Sequence, residues 1–372
     1  MDTPVDFSAL LSALDPNRAL TSEELEKLYV ERQPPIRLRL ARLLQAERAK
    51  VVLWGQSGSG KSTEIVRLAH DLDEKMLAVV VQPGLKFDLS RIGLIELILF
   101  ATYDTLHSAM SRGFNPSQEL KTRAYGWGIV WKDNGALFTP ARNVDSIGYA
   151  IQETAFAIRE IESSLGRPVV VLFDGLEKLS TATAQAIFAT NGEALAGWPV
   201  RALFVVPPLL VYQPEWDQAE RHITDTVFLP ALAVSETPDG IPALSFFEEL
   251  AAKRLKGTGQ KLPPELLDLA VLNSGGIPRQ FLQILRETFV EASLDGRSAP
   301  SLDGMNLALA RIRNTFRLKL RPAQLERLRK VHNDRPSSMA GEDYDLLAMG
   351  CVIQYQSGGR LWHDWNPVLD AA

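Results

Sequence analysis

The sequence predicts an α/β fold: a parallel sheet flanked by helices, followed by a helical segment and a small C-terminal module. Three observations carry this. Lys50–Trp54, Leu77–Gln82, Pro168–Phe173 and Val200–Val206 are almost continuously apolar, as strands buried on both faces must be. Stretches of helical periodicity separate them, long enough for crossovers between parallel neighbours. After about residue 240 the strand signals stop and helical patterns take over.

Taken in order, residues 1–35 read as a short lead-in, with Thr21-Ser22-Glu23-Glu24 as a helix start carrying acids in its first turn. Pro34-Pro35 ends it, and Arg37–Arg48 is helical with a basic face. The first strand, Lys50–Trp54, is followed by a helix over Thr63–Leu72. A long helix is expected at Leu89–Met110. Residues 112–144 break the rhythm with Gly and Pro and read as an insertion, with a hairpin at Gly128–Lys132 and Ala136–Thr139. Ile147–Leu165 returns to helix, stopped by Gly166. Helix is expected again at Thr181–Leu195, and a further short strand at Thr224–Leu229. Pro242–Lys256, Pro263–Leu272, Pro278–Ala292 and Leu302–Leu318 read as helices. The tail contains two short helices, Pro322–Val331 and Glu342–Met349, then a hairpin signal around Gly358-Gly359.

Composition excludes several classes. With 46% hydrophobic and 23% charged residues, this is an ordinary globular chain. Its one cysteine, Cys351, rules out an intrachain disulfide and fits a reducing compartment. The N-terminal MDTPVDFSALLSALD lacks the basic start and long apolar stretch of a secretory leader. The most apolar long run, Ile92–Met110, contains Glu96, Asp104 and His107 and is not a membrane span. A cytoplasmic protein with no membrane partner is expected. One cysteine and five scattered histidines cannot make a typical zinc site. No G-x-S-x-G nucleophile turn is present.

The chemistry concentrates in Gly55-Gln56-Ser57-Gly58-Ser59-Gly60-Lys61-Ser62-Thr63. This fits G-x-x-x-x-G-K-[ST] in full, between a strand signal and a helix signal. Backbone N–H groups of such a loop point inward at phosphate oxygens, and the following helix adds the positive end of its dipole. Lys61 would reach the β- and γ-phosphates, and the Ser62 hydroxyl would ligate Mg²⁺. The ligands implied are ATP and Mg²⁺. The Lys-Ser ending speaks against a dinucleotide-type glycine motif.

A phosphate loop needs a metal-anchoring acid and a group that orients water. Val169-Val170-Val171-Leu172-Phe173-Asp174 supplies the first at the carboxyl end of a buried strand. Glu177, three residues on, is the candidate for water activation.

Together with Ser274-Gly275-Gly276-Ile277-Pro278-Arg279, these motifs resemble the AAA+-like and STAND groups of P-loop ATPases. The resemblance extends in architecture over about residues 29–300 and is specific at two motifs. It implies Asp174 as the metal acid, Glu177 as the catalytic acid and Arg279 as the sensor-2 arginine that reaches the γ-phosphate. Tyr29-Val30-Glu31-Arg32 falls where such proteins often contact adenine. One departure stands out. The sensor-1 strand should end in a polar residue, yet here it ends in Val206-Pro207-Pro208, which points to slow hydrolysis. For a trans-acting arginine finger, Arg201, Arg221 and Arg254 all remain open.

The implied organisation is a lead-in at 1–35, a P-loop core at 36–240, a helical lid at 241–318 and a winged-helix-like tail at 319–372. One more feature lies in the tail. Residues 311–330 carry eight basic residues and one acid, Glu326, in a chain of net charge −5. This segment is either a solvated or oligomer-facing counter-charge or a docking surface for phosphate backbone or an acidic partner. Trp362 and Trp365 either pack the tail's small core or stack on a partner.

Three functions fit. The first is a Mg²⁺- and ATP-dependent regulatory ATPase acting as a conformational switch on a protein effector or within a homo-oligomer; ATPases of bacterial antiviral defence are of this general kind. The second is a DNA-engaging AAA+ loader or transposition-type regulator. The third is a nucleotide-binding interaction protein without hydrolysis.

Overall fold

The computed structural model describes residues 7–132, 135–139, 146–235, 242–339 and 341–370. Residues 1–6, at the start of the N-terminal stretch read above for a leader, and 140–145, at the end of the expected insertion, therefore lie outside the described residues. The chain divides into two compact units. A sheet unit comprises Gln33–Trp54 and Glu64–Phe228; a second unit comprises Met1–Arg32, Gly55–Thr63 and Leu229–Ala372.

The strands are β1 Lys50–Trp54, β2 Leu77–Val81, β3 Ile129–Lys132, β4 Gly135–Phe138, β5 Val169–Phe173, β6 Arg201–Val205, β7 Asp225–Phe228, β8 Val352–Ser357 and β9 Arg360–Trp365. In the sheet unit five of them form a parallel sheet of order β2-β5-β6-β1-β7, flanked by helices. The α/β core expected from the apolar runs is therefore present. Every residue of β1 and β5 is buried, which explains why neither alternates polar with apolar. Phe173 stacks on Phe204 at 5.0 Å, and Phe188 meets Phe204 edge-on at 5.4 Å. The long helix Ile147–Leu165 stops at Gly166, whose φ of 65° gives the left-handed cap and whose N–H donates to Glu162 O at 2.9 Å.

The register positions the chemistry. Phe204 pairs with Phe173 on one side and Val52 on the other. Asp174 is thus level with Leu53, and β1 and β5 end at the same carboxyl edge of the sheet. Ligands of parallel α/β sheets gather at that edge.

The insertion is more ordered than its Gly and Pro content predicts. Gln118–Gly126 forms a helix, with the Ser117 hydroxyl accepting from Leu120 N–H at 3.1 Å. Its sequence is mostly polar and short, so periodicity does not reveal it. Trp127 is fully buried after it, and β3 pairs antiparallel with β4 as the expected hairpin. The helix expected at Leu89–Met110 is instead a short turn, Leu89–Arg91, then a helix at Leu94–Met110 begun at Gly93. The helix expected at Thr181–Leu195 is split by a wider π turn at Ala186–Thr190.

The second unit is mainly helical: Pro242–Leu255, Pro264–Ser274, Pro278–Leu294, Leu302–Arg317, Pro322–Asp334 and Tyr344–Ala348, closed by the antiparallel hairpin β8–β9. Proline opens several of these helices, where its missing N–H costs nothing and its fixed φ suits the first turn. A reciprocal amide pair ties Pro278–Leu294 to the end of the hairpin: Gln280 Nε2 donates to Asn366 Oδ1, and Asn366 Nδ2 donates to Gln280 Oε1, both at 2.8 Å. Trp362 stacks on Tyr355 at 5.4 Å and Trp365 on His332 at 4.0 Å. Both tryptophans thus pack inside their own unit.

Candidate functional site

The glycine loop forms as the spacing predicts. Gly55, Gly58 and Gly60 have φ of 157°, 80° and 95°. Gly58 shows why a side chain cannot stand there: a Cβ would lie 2.6 Å from Arg279 Cβ. Lys61 opens the helix Lys61–Leu72 and is buried. Its Nζ donates to Gly55 O and Gln56 O, each at 2.8 Å, so the ammonium is held inside the curve of the loop. Ser62 and Thr63 follow in the helix's first turn, where N–H groups lack intrahelical partners.

Within the second unit the loop is gripped on several sides. Arg279 Nη1 donates to Ser57 Oγ at 2.9 Å, and the Arg279 N–H donates to Gly58 O at 3.3 Å. Arg32, 8% exposed, donates from Nη1 to Ser59 O and from Nη2 to Pro230 O. The Gln56 amide reaches β8: Nε2 donates to Val352 O at 2.5 Å, and Oε1 accepts from Gln354 N–H at 3.2 Å. Ser59 is fully buried, and its Oγ has no hydrogen-bond partner among the described residues.

Asp174 and Glu177 belong to the sheet unit. Asp174 is 4% exposed; its N–H donates to Val81 O at 2.9 Å, and its Oδ2 accepts from Gln82 Nε2 at 2.9 Å. Gln82 follows β2 directly, and Val81 pairs with Phe173, so this contact follows from strand order. Gly175 has φ 89° and turns the chain into the short helix Leu176–Lys178 that carries Glu177. Glu177 Oε2 is buried without a hydrogen-bond partner among the described residues.

Taken unit by unit, these features suit a nucleotide and its metal. In the glycine loop a Cβ at Gly55 or Gly58 would strike Leu229 O or Arg279 Cβ, and Ser62 offers a hydroxyl oxygen to a hard cation. In the sheet unit Asp174 offers a carboxylate oxygen, and Glu177 Oε2 is a buried acceptor without a partner among the described residues. The strand β6 is followed by Val206, Pro207 and the helix Pro208–Val211, so its edge lacks the polar residue that the resemblance implies.

Comparison with solved structures gives the same architecture. A Walker-type ATPase of Pyrococcus abyssi matches at a TM-score of 0.53 and 13% identity, over 96% of this chain and 98% of the other. The chain has the fold of a Walker-type P-loop ATPase. The ORC2 protein of Aeropyrum pernix, in its ADPNP–ADP complexes, aligns over 96% of this chain and 93% of its own at 13% identity and a TM-score of 0.48. The RuvB Holliday junction branch migration motor of Thermotoga maritima aligns over 89% and 91% at 10% identity and a TM-score of 0.41. No protein-family model matches the sequence, and a search of curated proteins finds no match. Among the described residues no helix is long and apolar enough to cross a membrane.

The remaining candidate arginines separate by burial. Arg254 is 7% exposed, with Nη1 donating to Ala13 O at 3.2 Å, and burial lowers its pKa. It is spent inside its own unit. Arg201 lies 3.8 Å from Glu162, and Arg221 is exposed.

Structure divides the basic stretch 311–330 as well. Arg311 pairs with Glu291 at 2.5 Å, Arg313 Nε donates to Val368 O at 2.9 Å, and Arg327 bridges to Asp343 and Asp345. Arg317, Lys319, Arg321, Arg329 and Lys330 are exposed, with no carboxylate within 4.0 Å among the described residues.

The sequence did not reveal Arg32 or Gln56 as contacts of distant segments. Arg32 meets Pro230, and Gln56 meets β8, across hundreds of residues of chain. Only Arg279 was signalled, by the Gly-Gly-Ile-Pro-Arg helix start.

Proposed function

We propose that this protein is a Mg²⁺-dependent, ATP-binding and ATP-hydrolysing regulatory ATPase that works as a slow conformational switch. The observation that carries this is the loop 55–63, with left-handed glycines, Lys61 Nζ held inside it and the Arg279 guanidinium on Ser57. In this reading the loop N–H groups and Lys61 hold the phosphates. Ser62 and Asp174 would hold Mg²⁺, which when bound neutralises the charge developing on the transferred phosphoryl group. Glu177, with a buried oxygen awaiting a donor, accepts a hydrogen bond from the attacking water and orients it. Arg279 stabilises phosphate charge from the first turn of Pro278–Leu294.

The apolar end of β6 removes one aid to water positioning and favours slow turnover. The moving parts proposed are the helical segment 241–318 and the winged-helix-like tail 319–372, acting on a homo-oligomer partner or an effector protein. The single cysteine fits a cytoplasmic setting, and the resemblance points to bacterial signalling or antiviral defence.

Calorimetry of wild type and Lys61→Ala with ATP tests the binding, with loss of tight binding expected in the variant. Unchanged affinity overturns the assignment. ATP binding without turnover in wild type would make the protein a nucleotide-binding interaction protein instead.

A second reading, engagement of duplex DNA, is favoured by one observation: the five exposed cations of 317–330 that lack carboxylate partners. It requires steeply salt-dependent DNA binding.

A further inference from the structure

Gln56 occupies a position of the phosphate loop whose side chain the nucleotide does not need. The loop's phosphate contacts come from backbone N–H groups. Its side-chain amide instead completes the edge of β8. In a strand the carbonyl of one residue and the N–H two residues on face the same edge. Val352 O and Gln354 N–H are such a pair, and the Gln56 amide takes both, donor to acceptor and acceptor to donor. Next along that edge, Gln354 O accepts from Ala231 N–H at 3.2 Å. The amide therefore stands in for one peptide of a neighbouring strand. All of this lies inside one compact unit.

β8 also touches the second anion-facing element. Tyr355 OH donates to Gly275 O at 3.0 Å, in the turn that opens the Arg279 helix. Tyr355 and Ile353 are buried with Ile277, Ala231 and Ala233. One strand thus holds the phosphate loop through Gln56 and the arginine-bearing turn through Tyr355.

We propose that the Gln56 amide couples the phosphate loop to the C-terminal hairpin, so that nucleotide in the loop and docking of β8 stabilise each other. This rests on the nucleotide-binding reading above and names the regulation of that same site. The physical basis is a shared conformation. A bound phosphate fixes the backbone of residues 55–60, and fixing residue 56 places its amide on β8. Linkage makes the effect reciprocal: a hairpin held on Gln56 pre-organises the loop and tightens nucleotide binding. Gln56 is a positioning residue here, acting through the loop backbone. The hairpin is then the element through which nucleotide state is passed to whatever the tail contacts.

The test uses the full chain as wild type, Gln56→Ala and Gln56→Glu. Alanine removes both bonds. Glutamate keeps the shape and the acceptor but sets a carboxylate oxygen against Val352 O. AMP-PNP affinity is measured by calorimetry, and hydrogen exchange of the segment 352–357 is followed with and without AMP-PNP. In wild type the nucleotide slows exchange across 352–357. Both variants should bind AMP-PNP about tenfold more weakly and lose the nucleotide-dependent slowing, beyond the modest fall in melting temperature that two broken hydrogen bonds bring. A role confined to folding would lower the melting temperature and leave the response of 352–357 intact, which overturns the proposal. So does unchanged affinity in Gln56→Ala when wild type binds. Wild type that fails to bind AMP-PNP at all overturns the proposed function and the coupling with it.

Discussion

Gly276→Ala is the sharpest structural test of how the second unit holds Arg279 in place. Gly276 has φ +74°, and a Cβ there would lie 1.7 Å from Leu232 O, 2.7 Å from its carbonyl carbon and 2.8 Å from its nitrogen. The obstacle is backbone, which cannot swing aside as a side chain can. A carbon normally stays about 3.3 Å or more from a carbonyl oxygen, so Leu232 must retreat by about 1.6 Å. That breaks the Leu232 N–H bond to Gly276 O, 3.2 Å long. The lost bond costs about 1 kcal/mol, the overlap about 1–3 kcal/mol and the left-handed alanine about 1–2 kcal/mol. A destabilisation of about 4 kcal/mol is expected. Gly350→Ala is the matched control: its φ is +72°, but the nearest atom to its Cβ, Phe316 Cε1, is 3.7 Å away. It should cost only the backbone strain, about 1–2 kcal/mol. Guanidinium unfolding of both variants, compared at equal m-value, reads the difference. Gly276→Ala should also weaken ATP binding, because Pro278 and Arg279 follow directly and Arg279 is held on Ser57 Oγ at 2.9 Å. If the two variants lie within about 1 kcal/mol of each other, the close approach of Leu232 to Gly276 does not govern this turn.

Three further outcomes are expected. Glu177→Gln should retain ATP binding and slow phosphate release in a single-turnover assay by about 100-fold or more; wild-type turnover would make Glu177 a structural acid. Replacing Lys319, Arg329 and Lys330 with Glu should remove any DNA binding while leaving ATPase activity intact. Fluorescence anisotropy at 50 and 200 mM salt decides, since neutralising four to six phosphates predicts an affinity loss of about two to three orders of magnitude over that range, and flat, weak binding in wild type would exclude the DNA reading. The third concerns pH. His363 is buried, with Nδ1 at 2.9 Å from Pro336 O, and burial holds its pKa below the ordinary histidine value, offset in part by that hydrogen bond. The unfolded chain then binds the proton first as pH falls, so this group's contribution to stability is intact above pH 6.5 and declines below it, by at most about 1.4 kcal/mol per pH unit. His363→Asn should flatten the difference in melting temperature between pH 7 and pH 5; an unchanged difference would show that His363 does not titrate with folding.

Local rules made the glycine loop and the acid after β5 legible. Short continuous apolar runs bounded by turn signals suit buried strands, so β1, β5 and β6 were visible within a residue or so, and the acid after β5 followed from where such a strand must end. Glycine, lysine and serine spacing determined the phosphate loop, because its geometry depends on residues next to one another. Where the signals were weak, so was the reading: the polar helix Gln118–Gly126 has little periodicity to show, and the π turn at Ala186–Thr190 has no sequence mark.

Tertiary structure alone decided what surrounds the loop. Gln56 looks like a filler position in the motif, and nothing in its neighbours says that its amide meets Val352 and Gln354. Arg32 carried a loose hint of adenine contact, yet it is bonded to Ser59 O and Pro230 O. The basic stretch read as one charged block, but folding pairs Arg311, Arg313 and Arg327 internally and leaves five cations outward. The physical reason is the same in each case. Backbone conformation and burial periodicity are encoded within a few residues, whereas a side-chain hydrogen bond depends on which distant backbone group arrives opposite it, and that is known only once the chain has packed.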